Sequence, residues 1–174
     1  MNIILTGFMG TGKTTVGKLL AAQLGYAFVD TDALIEQQVG RTIADIFAQL
    51  GEAAFRRMEA EVAAQLGERD RLVIATGGRL MLDPENVAAL GRNGRIFCLI
   101  ATPEEILNRV LADRGKRPLL AGDNPRGRIE VLLQVRAEKY GQFPQIVTSG
   151  KTAAEVAAEI MELIATTTNY EINE

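Results

Sequence analysis

The chain has 174 residues, 47% of them hydrophobic and 24% charged, which suits one ordinary globular domain with a proper core. Its net charge of −3 predicts no overall attraction to nucleic acid or to an anionic membrane surface. The sequence has no histidine and one cysteine, Cys98, so a structural zinc site is excluded. A proton acceptor must then be Asp, Glu or an unusual Lys or Tyr. We expect a cytoplasmic protein, because one cysteine forms no internal disulfide and neither a signal peptide nor a membrane span is evident.

Short apolar runs alternate along the chain with longer segments of helical periodicity. The runs predict strands buried on both faces, at 3–6, 27–29, 72–76, 96–101 and 145–148. The periodic segments predict helices, at 13–24, 32–40, 42–50, 52–66, 84–91, 103–113, 126–141 and 152–165. This alternation predicts a single α/β domain over 1–168, with a five-stranded parallel sheet between two layers of helices, and a polar tail at 169–174.

A glycine-rich turn, GFMGTGKTT at 7–15, joins the first predicted strand to the first predicted helix. The spacing of Gly7, Gly12, Lys13 and Thr14 is that of a P-loop, in the strand-and-helix context that this motif requires. Its backbone N–H groups and the helix N-terminus attract an anion, Lys13 reaches the β- and γ-phosphates, and the Thr14 hydroxyl binds Mg²⁺. The sequence therefore predicts a site for a nucleoside triphosphate, formed by Gly10, Thr11, Gly12, Lys13, Thr14 and Thr15.

Two carboxylates follow the second predicted strand, in VDTD at 29–32. In extended geometry Asp30 and Asp32 point the same way, towards the crevice at the carboxyl end of a parallel sheet. One carboxylate would then lie near the metal, and the other would accept a hydrogen bond or a proton from an attacking hydroxyl. The alternative is that these residues only cap the next helix.

Two further stretches have both a structural and a functional interpretation. In GEAAFRRMEAEV at 51–62, Arg56 lies off the apolar stripe of the helix and Glu59 lies one turn on, where it can orient Arg56. The alternative is a solvated ion pair. In TGGR at 76–79, paired glycines at the end of a strand permit a close approach of the backbone to a ligand, or they form a plain turn.

The segment 109–128 is rich in glycine, proline and positive charge. It holds six basic residues and two acidic ones; the basic residues are Arg109, Arg114, Lys116, Arg117, Arg126 and Arg128. We predict a mobile, positively charged lid over about 112–125.

The combination of these motifs resembles the shikimate kinase family over nearly the whole chain. The matching stretches are GFMGTGKTTVGKLLA, FVDTDALIEQQVGRTIADIFAQLGEAAFRRME, TGG, KRPLLAG and RAEKY. The joint occurrence of D-T-D, F-R-R-x-E and R-P-L-L carries the resemblance, because a P-loop alone is shared with other small kinases. The resemblance implies a P-loop kinase fold and phosphorylation of the 3-hydroxyl of shikimate by ATP with one Mg²⁺, in a monomer that needs no nucleic acid or membrane.

The resemblance also assigns roles to particular residues. Residues 10–15, with Lys13, match the phosphate site. Thr14 matches the residue that binds the metal, and Asp30 matches the aspartate that contacts the metal through water. Asp32 matches the candidate base that binds the acceptor hydroxyl. Arg56 and Arg136 match the pair of arginines that binds the substrate carboxylate. Gly78 matches a residue whose backbone contacts the substrate. Arg117 matches the lid arginine, and Arg109 an arginine that stacks on adenine.

The chain departs from the family pattern at Arg79, which stands where the family has a third glycine. Arg79 points either into the crevice as a third cation or to solvent, and we expect the solvent-facing orientation. This departure bears on the acceptor rather than the phosphate donor. Two other functions stay open: a kinase of another small acid such as gluconate or of a nucleoside monophosphate, and a nucleotide-dependent binding module without turnover.

Overall fold

The computed structural model describes residues 1–112 and 124–171. Its strands form one parallel sheet, as predicted, in the order β2-β3-β1-β4-β5. The strands are β1 (Asn2–Gly7), β2 (Ala27–Asp30), β3 (Leu72–Ala75), β4 (Gly94–Ile100) and β5 (Gln145–Val147). The predicted lid lies almost entirely outside the described residues, and so do Arg114, Lys116, Arg117 and the end of the predicted tail.

Helices cover both faces of the sheet. They are α1 (Lys13–Leu24), α2 (Thr31–Val39), α3 (Ile43–Gly67), α4 (Pro84–Gly91), α5 (Pro103–Ala112), α6 (Pro125–Gly141) and α7 (Ala153–Glu171), with a 3-10 turn at Leu80–Leu82. Helix α7 ends six residues later than the predicted boundary at 165, since no glycine or proline follows Gly150 to stop it. In the described ranges no helix is both long and apolar enough to cross a membrane.

The core consists of two apolar layers, one on each face of the sheet. Successive strand residues point to opposite faces, so Ile4 packs under α3 to α6 while Ile3 and Leu5 pack under α1 and α7. Cys98 is fully buried in the α3-to-α6 layer, and burial raises the pKa of its thiol to about 11. Cys98 is therefore a structural residue, as its apolar neighbours in the sequence predict.

Three strands end at the same edge of the sheet and determine where polar groups collect. The P-loop follows β1, Asp30 ends β2, and Thr76 to Gly78 follow β3. Because β1 lies between β3 and β4, with β2 beyond β3, these three chain segments are neighbours in space. This edge is where ligands bind in open parallel sheets.

The two helices predicted at 42–50 and 52–66 form one element, α3, with a sharp break at Gly51. Gly51 has φ 80° and ψ 169°, a backbone conformation open almost only to glycine. Phe47, in the first part of α3, lines a cavity with Asp32 and Gly78, while the second part packs into the core.

We predict that Gly51→Ala lowers the free energy of unfolding by about 1–3 kcal/mol, from backbone strain alone. An added Cβ would contact nothing within 4 Å, so overpacking plays no part. Gly91→Ala at the end of α4 is the control, because its φ is not positive and its Cβ would meet Ile96 at 3.6 Å. Urea unfolding measures both variants, and equal effects at the two positions would contradict the strain argument.

Candidate active site

The P-loop forms a closed turn over the end of the sheet. Three positive-φ glycines shape it, Gly7 with φ 129°, Gly10 with φ 74° and Gly12 with φ 95°. The Thr11 hydroxyl donates to the carbonyl of Phe8 at 2.8 Å, and the Lys13 ammonium donates to the carbonyls of Gly7 and Phe8, both at 2.9 Å. Lys13 therefore lies across the mouth of the loop, at the N-terminus of α1, where a phosphate group meets both the ammonium and the helix dipole.

The sequence-predicted phosphate and metal residues line one cavity of about 600 Å³. Its walls include Gly10, Gly12, Lys13, Thr14, Thr15, Asp30, Asp32, Gly77, Gly78 and Arg109. Thr11 faces a neighbouring cavity of about 240 Å³ on the other side of the loop, which Arg109, Thr15 and Lys151 also line. The P-loop therefore separates two spaces, with Arg109 and Thr15 lining both.

Asp30 serves two elements at once. Its Oδ1 accepts from the backbone N–H groups of Asp32 (3.1 Å) and Ala33 (3.3 Å), which caps α2, and its Oδ2 accepts from the Thr14 hydroxyl at 3.1 Å. Asp30 therefore caps α2, as the alternative interpretation proposed. The same side chain also contacts Thr14, so a role beside the metal remains open to it. The expectation that Asp30 and Asp32 share one face of a strand is wrong, because β2 ends at Asp30 and Asp32 lies in the first turn of α2.

The donor set around Thr14 and Asp30 fits Mg²⁺. A hydroxyl and a carboxylate oxygen are hard ligands, and Mg²⁺ takes few protein ligands besides water and substrate phosphates. Within 1–112 and 124–171, no group of three or more carboxylate, thiol or imidazole side chains is arranged to hold a metal by itself. A metal here would therefore depend on the phosphates that it accompanies.

Asp32 lies where the phosphate cavity meets a second cavity. Its Oδ1 is buried and makes no hydrogen bond with any described residue. Burial raises the pKa of Asp32 to about 6, with Asp30 and Glu59 adding to the effect and Lys13 opposing it. A carboxylate that lines both cavities and has a pKa near neutrality is suited to accept a proton from a ligand hydroxyl.

The two glycines of TGGR, Gly77 and Gly78, make different contacts. A Cβ on Gly77 would overlap the carboxylate of Asp32, so Gly77 allows Asp32 to approach the backbone. The N–H of Gly77 also donates to the Thr31 hydroxyl at 2.8 Å. The carbonyl of Gly78 accepts from Arg136 at 3.2 Å and from the Tyr140 hydroxyl at 2.5 Å. Gly77 therefore allows a close approach, but its partner is a protein carboxylate, and the approach of this loop to a ligand stays a prediction.

The second cavity, of about 230 Å³, has one apolar side and one charged side. The apolar side consists of Met9, Ile43, Phe47 and Phe55, and the charged side of Asp32, Arg56, Glu59, Arg79 and Arg136 with the backbone of Gly78. We call this space the acceptor pocket. The break at Gly51 brings Phe47 against Phe55, with ring centroids 4.9 Å apart, so it shapes the apolar side.

Two arginines are fixed at the acceptor pocket by aromatic rings and hydrogen bonds. Arg136 is buried, with its guanidinium 5.3 Å from the ring centre of Phe8. Arg56 lies 5.3 Å from the ring centre of Phe55 and donates to Glu59 at 2.5 Å. Glu59 is only 2% exposed, so the Arg56–Glu59 pair is not the solvated ion pair of the alternative interpretation. Burial raises the pKa of Glu59, and Arg56 opposes that shift.

The sequence interpretation missed Tyr140 and Glu52. Tyr140 follows Arg136 by one helical turn on α6, a spacing that places both on one face. Glu52 precedes Arg56 by one turn, and its Oε1 accepts from Arg56 at 3.1 Å and from Arg79 at 2.7 Å. Arg79 has φ −116°, so it strains no backbone, and its side chain is half exposed at the rim of the pocket.

Arg109 is held beside the P-loop by four hydrogen bonds. It donates to Glu105 at 2.8 Å, to the carbonyl of Gly10 at 3.2 Å, and to the hydroxyl and carbonyl of Thr148 at 3.0 and 3.1 Å. Arg109 lines both the phosphate cavity and the neighbouring cavity beside Thr11, a position that suits contact with the base of a nucleotide. The stacking role stays a prediction, as does the role of Arg117, which lies outside the described residues.

A five-stranded parallel sheet, a P-loop and an adjoining pocket with paired arginines define a small-molecule phosphotransferase of the P-loop kinase class. The family model for shikimate kinase matches residues 9–165. The shikimate kinase of Symbiobacterium thermophilum is 49% identical over 168 residues, which cover 93% of this chain and 95% of the relative. The chain belongs to the shikimate kinase family.

Solved structures agree with this assignment. The shikimate kinase of Acinetobacter baumannii, determined in complex with shikimate, superposes with a TM-score of 0.88 at 39% identity, covering 95% of this chain and 93% of that chain. A gluconokinase from Sinorhizobium meliloti superposes with a TM-score of 0.63 at 17% identity, covering 99% of this chain and 97% of that chain, which shows a shared fold alone.

We predict that Asp32→Asn stabilises the folded protein at pH 7.5 by about 1–3 kcal/mol. The pKa of Asp32 is raised from 3.8 to about 6 on folding, so ionisation of this group opposes folding as pH rises through that window. Below pH 3.8 the carboxyl is protonated in both states, and the gain should vanish. Thermal unfolding at pH 7.5 and 3.5 measures the difference, with Glu61→Gln on the exposed face of α3 as control. A gain that is equal at both pH values would contradict the burial argument.

Proposed function

We propose that the chain transfers the γ-phosphoryl group of ATP to the 3-hydroxyl of shikimate, giving ADP and shikimate 3-phosphate. One observation supports this most strongly: the phosphate cavity and the acceptor pocket adjoin at the carboxylate of Asp32. A donor in the first and an acceptor in the second would present the hydroxyl to the phosphoryl group beside a proton acceptor. Such positioning is most of what phosphoryl transfer requires.

On the donor side, the backbone of residues 10–15 binds the phosphates. Lys13 neutralises the β- and γ-phosphate oxygens, and Thr14 holds Mg²⁺ directly while Asp30 holds it through water. When bound, the metal neutralises charge on the transferring group. The 3.1 Å hydrogen bond between Thr14 and Asp30 supports this proposal, because it already places both oxygen ligands together.

On the acceptor side, Arg56 and Arg136 bind the carboxylate of shikimate and Asp32 binds its hydroxyl. Guanidinium groups suit a carboxylate because their donors match its two oxygens. Phe47, Phe55 and Met9 pack on the carbon skeleton of the ring. Asp32 takes the hydroxyl proton as the new O–P bond forms and the bond from phosphorus to ADP breaks, and its raised pKa makes it a better proton acceptor than an ordinary carboxylate.

The remaining assignments complete the proposal. Arg109 contacts the adenine, and Arg117 closes on the phosphates with the lid. The enzyme works as a monomer in the cytoplasm, where a single, fully buried thiol suits reducing conditions.

Two rival functions make different demands on the same site. A gluconate kinase shares this fold, and a small sugar acid also carries a carboxylate, so the acceptor itself must be varied to separate the two. A nucleoside monophosphate would need neutral hydrogen-bonding groups for a base, whereas the side chains described in the lining of the acceptor pocket are charged or apolar, with no amide or hydroxyl among them. A binding module without turnover has no use for a carboxylate with a pKa near neutrality where the two cavities meet.

We predict ADP release that depends on shikimate and not on gluconate or a nucleoside monophosphate. Asp32→Asn should bind ATP normally and lose about 10²–10⁴-fold in kcat, the usual contribution of a general base. A coupled assay of ADP release measures turnover, nucleotide titration measures ATP binding, and Glu61→Gln is the control. ADP release with gluconate alone would move the assignment to that acid. ADP release with no acceptor dependence, or a variant with more than half of the native kcat, would refute the proposed chemistry.

A further inference from the structure

Four charged side chains form a continuous chain of ion pairs from the floor of the acceptor pocket to its rim. Glu59 accepts from Arg56 at 2.5 Å, Arg56 donates to Glu52 at 3.1 and 3.3 Å, and Arg79 donates to the same Oε1 of Glu52 at 2.7 Å. Exposure rises along the chain, since Glu59 is buried, Arg56 is 31% exposed, and Glu52 and Arg79 are about half exposed. The chain links the loop after β3 to the second part of α3.

The two carboxylates, Glu52 and Glu59, compete for Arg56, one of the two arginines that bind the acceptor carboxylate in the proposed function. Glu52 and Glu59 carry two negative charges, and Arg56 between them carries one positive charge. Without Arg79 this group has a net negative charge, which would repel the carboxylate of an acidic acceptor. With Arg79 the four charges balance. Arg79 also donates to Oε1 of Glu52 at a shorter distance, 2.7 Å, than Arg56 does at 3.1 Å. Glu52 therefore holds Arg56 less tightly.

The influence of Arg79 extends to the buried end of the chain. The positive charge of Arg79 lowers the pKa of Glu59, in the same direction as Arg56. It therefore favours the ionised form of Glu59, which anchors the guanidinium of Arg56 by the 2.5 Å contact. Arg79 itself points its charge at Glu52 rather than at the centre of the pocket.

We propose that Arg79 is a positioning residue that sets the affinity for an acidic acceptor through Glu52, by keeping the guanidinium of Arg56 available to the acceptor carboxylate. This inference rests on the proposed function. Arg79 acts on binding of the acceptor, so it should leave the phosphate donor and the transfer step unchanged.

A double-mutant cycle tests the route through Glu52. We expect Arg79→Gln to raise the KM for shikimate about three- to fivefold, with kcat and the KM for ATP unchanged. Arg79→Lys should restore most of the affinity, because an ammonium also pairs with Glu52. In a Glu52→Gln background, Arg79→Gln should raise the KM no further, since the charge that it balances is gone. High salt should shrink the effect of Arg79→Gln in the native background.

Arg92→Gln is the matched control, because Arg92 forms an exposed ion pair with Glu68 at 2.8 Å on another part of the surface. It should leave the KM unchanged. The inference is overturned if Arg79→Gln leaves the KM for shikimate unchanged, if it lowers kcat instead, or if its effect is the same in the Glu52→Gln background.

Calorimetric titration of shikimate into the same variants separates this inference from the proposed function. Binding by the native chain without coupling between positions 79 and 52 would overturn the role of Arg79 alone. No shikimate binding by the native chain would overturn both. Coupled binding energies in a chain without turnover would support Arg79 while refuting the kinase reaction.

Discussion

The burial of the Asp32 carboxylate against the backbone of Gly77 is the constraint on which the site depends. A Cβ at position 77 would overlap that carboxylate, so only glycine lets α2 and the loop after β3 come this close. The contact is reinforced by the hydrogen bond from the Gly77 N–H to Thr31, which precedes Asp32. Asp32 is thereby fixed where two cavities meet, away from the water that would otherwise lower its pKa.

The same constraint explains why the site opposes the stability of the fold. A carboxylate whose Oδ1 has no partner, beside the negative charges of Asp30 and Glu59, destabilises the folded state once it ionises. Two apolar layers on the sheet supply the stability that offsets this. Positive groups oppose this accumulation of negative charge on both sides of Asp32. Lys13 lowers the pKa of Asp32 on the donor side, and Arg56 and Arg79 lower the pKa of Glu59 on the acceptor side.

The sequence predicts those features that depend on neighbouring residues. Strand order aside, the α/β alternation, the P-loop with Lys13 and Thr14, and the pairing of Arg56 with Glu59 all follow from local spacing. A glycine inside a helical pattern indicates the break at Gly51. The sequence does not indicate that the break places Phe47 against Phe55. The interpretation of Asp32 as extended in line with Asp30 is wrong because capping by Asp30 ends β2 there, although Asp32 does face the crevice at the sheet edge as predicted.

Contacts between distant chain segments account for what the sequence does not reveal. Tyr140 reaches the carbonyl of Gly78 across 62 residues, and Arg79 reaches Glu52 across 27. Neither pair has a spacing that indicates contact. The reason for Gly77 is likewise visible only when α2 is placed beside the loop after β3.

The dependence of kcat/KM for shikimate on pH tests most directly the claim that a buried Asp32 is the proton acceptor. The carboxylate must be ionised to accept a proton, and its pKa is about 6. The account predicts an acid limb in which kcat/KM falls about tenfold per pH unit below pH 6, with a midpoint near 6. A profile that is flat from pH 5 to 7.5, or a limb with its midpoint near 4, would contradict it.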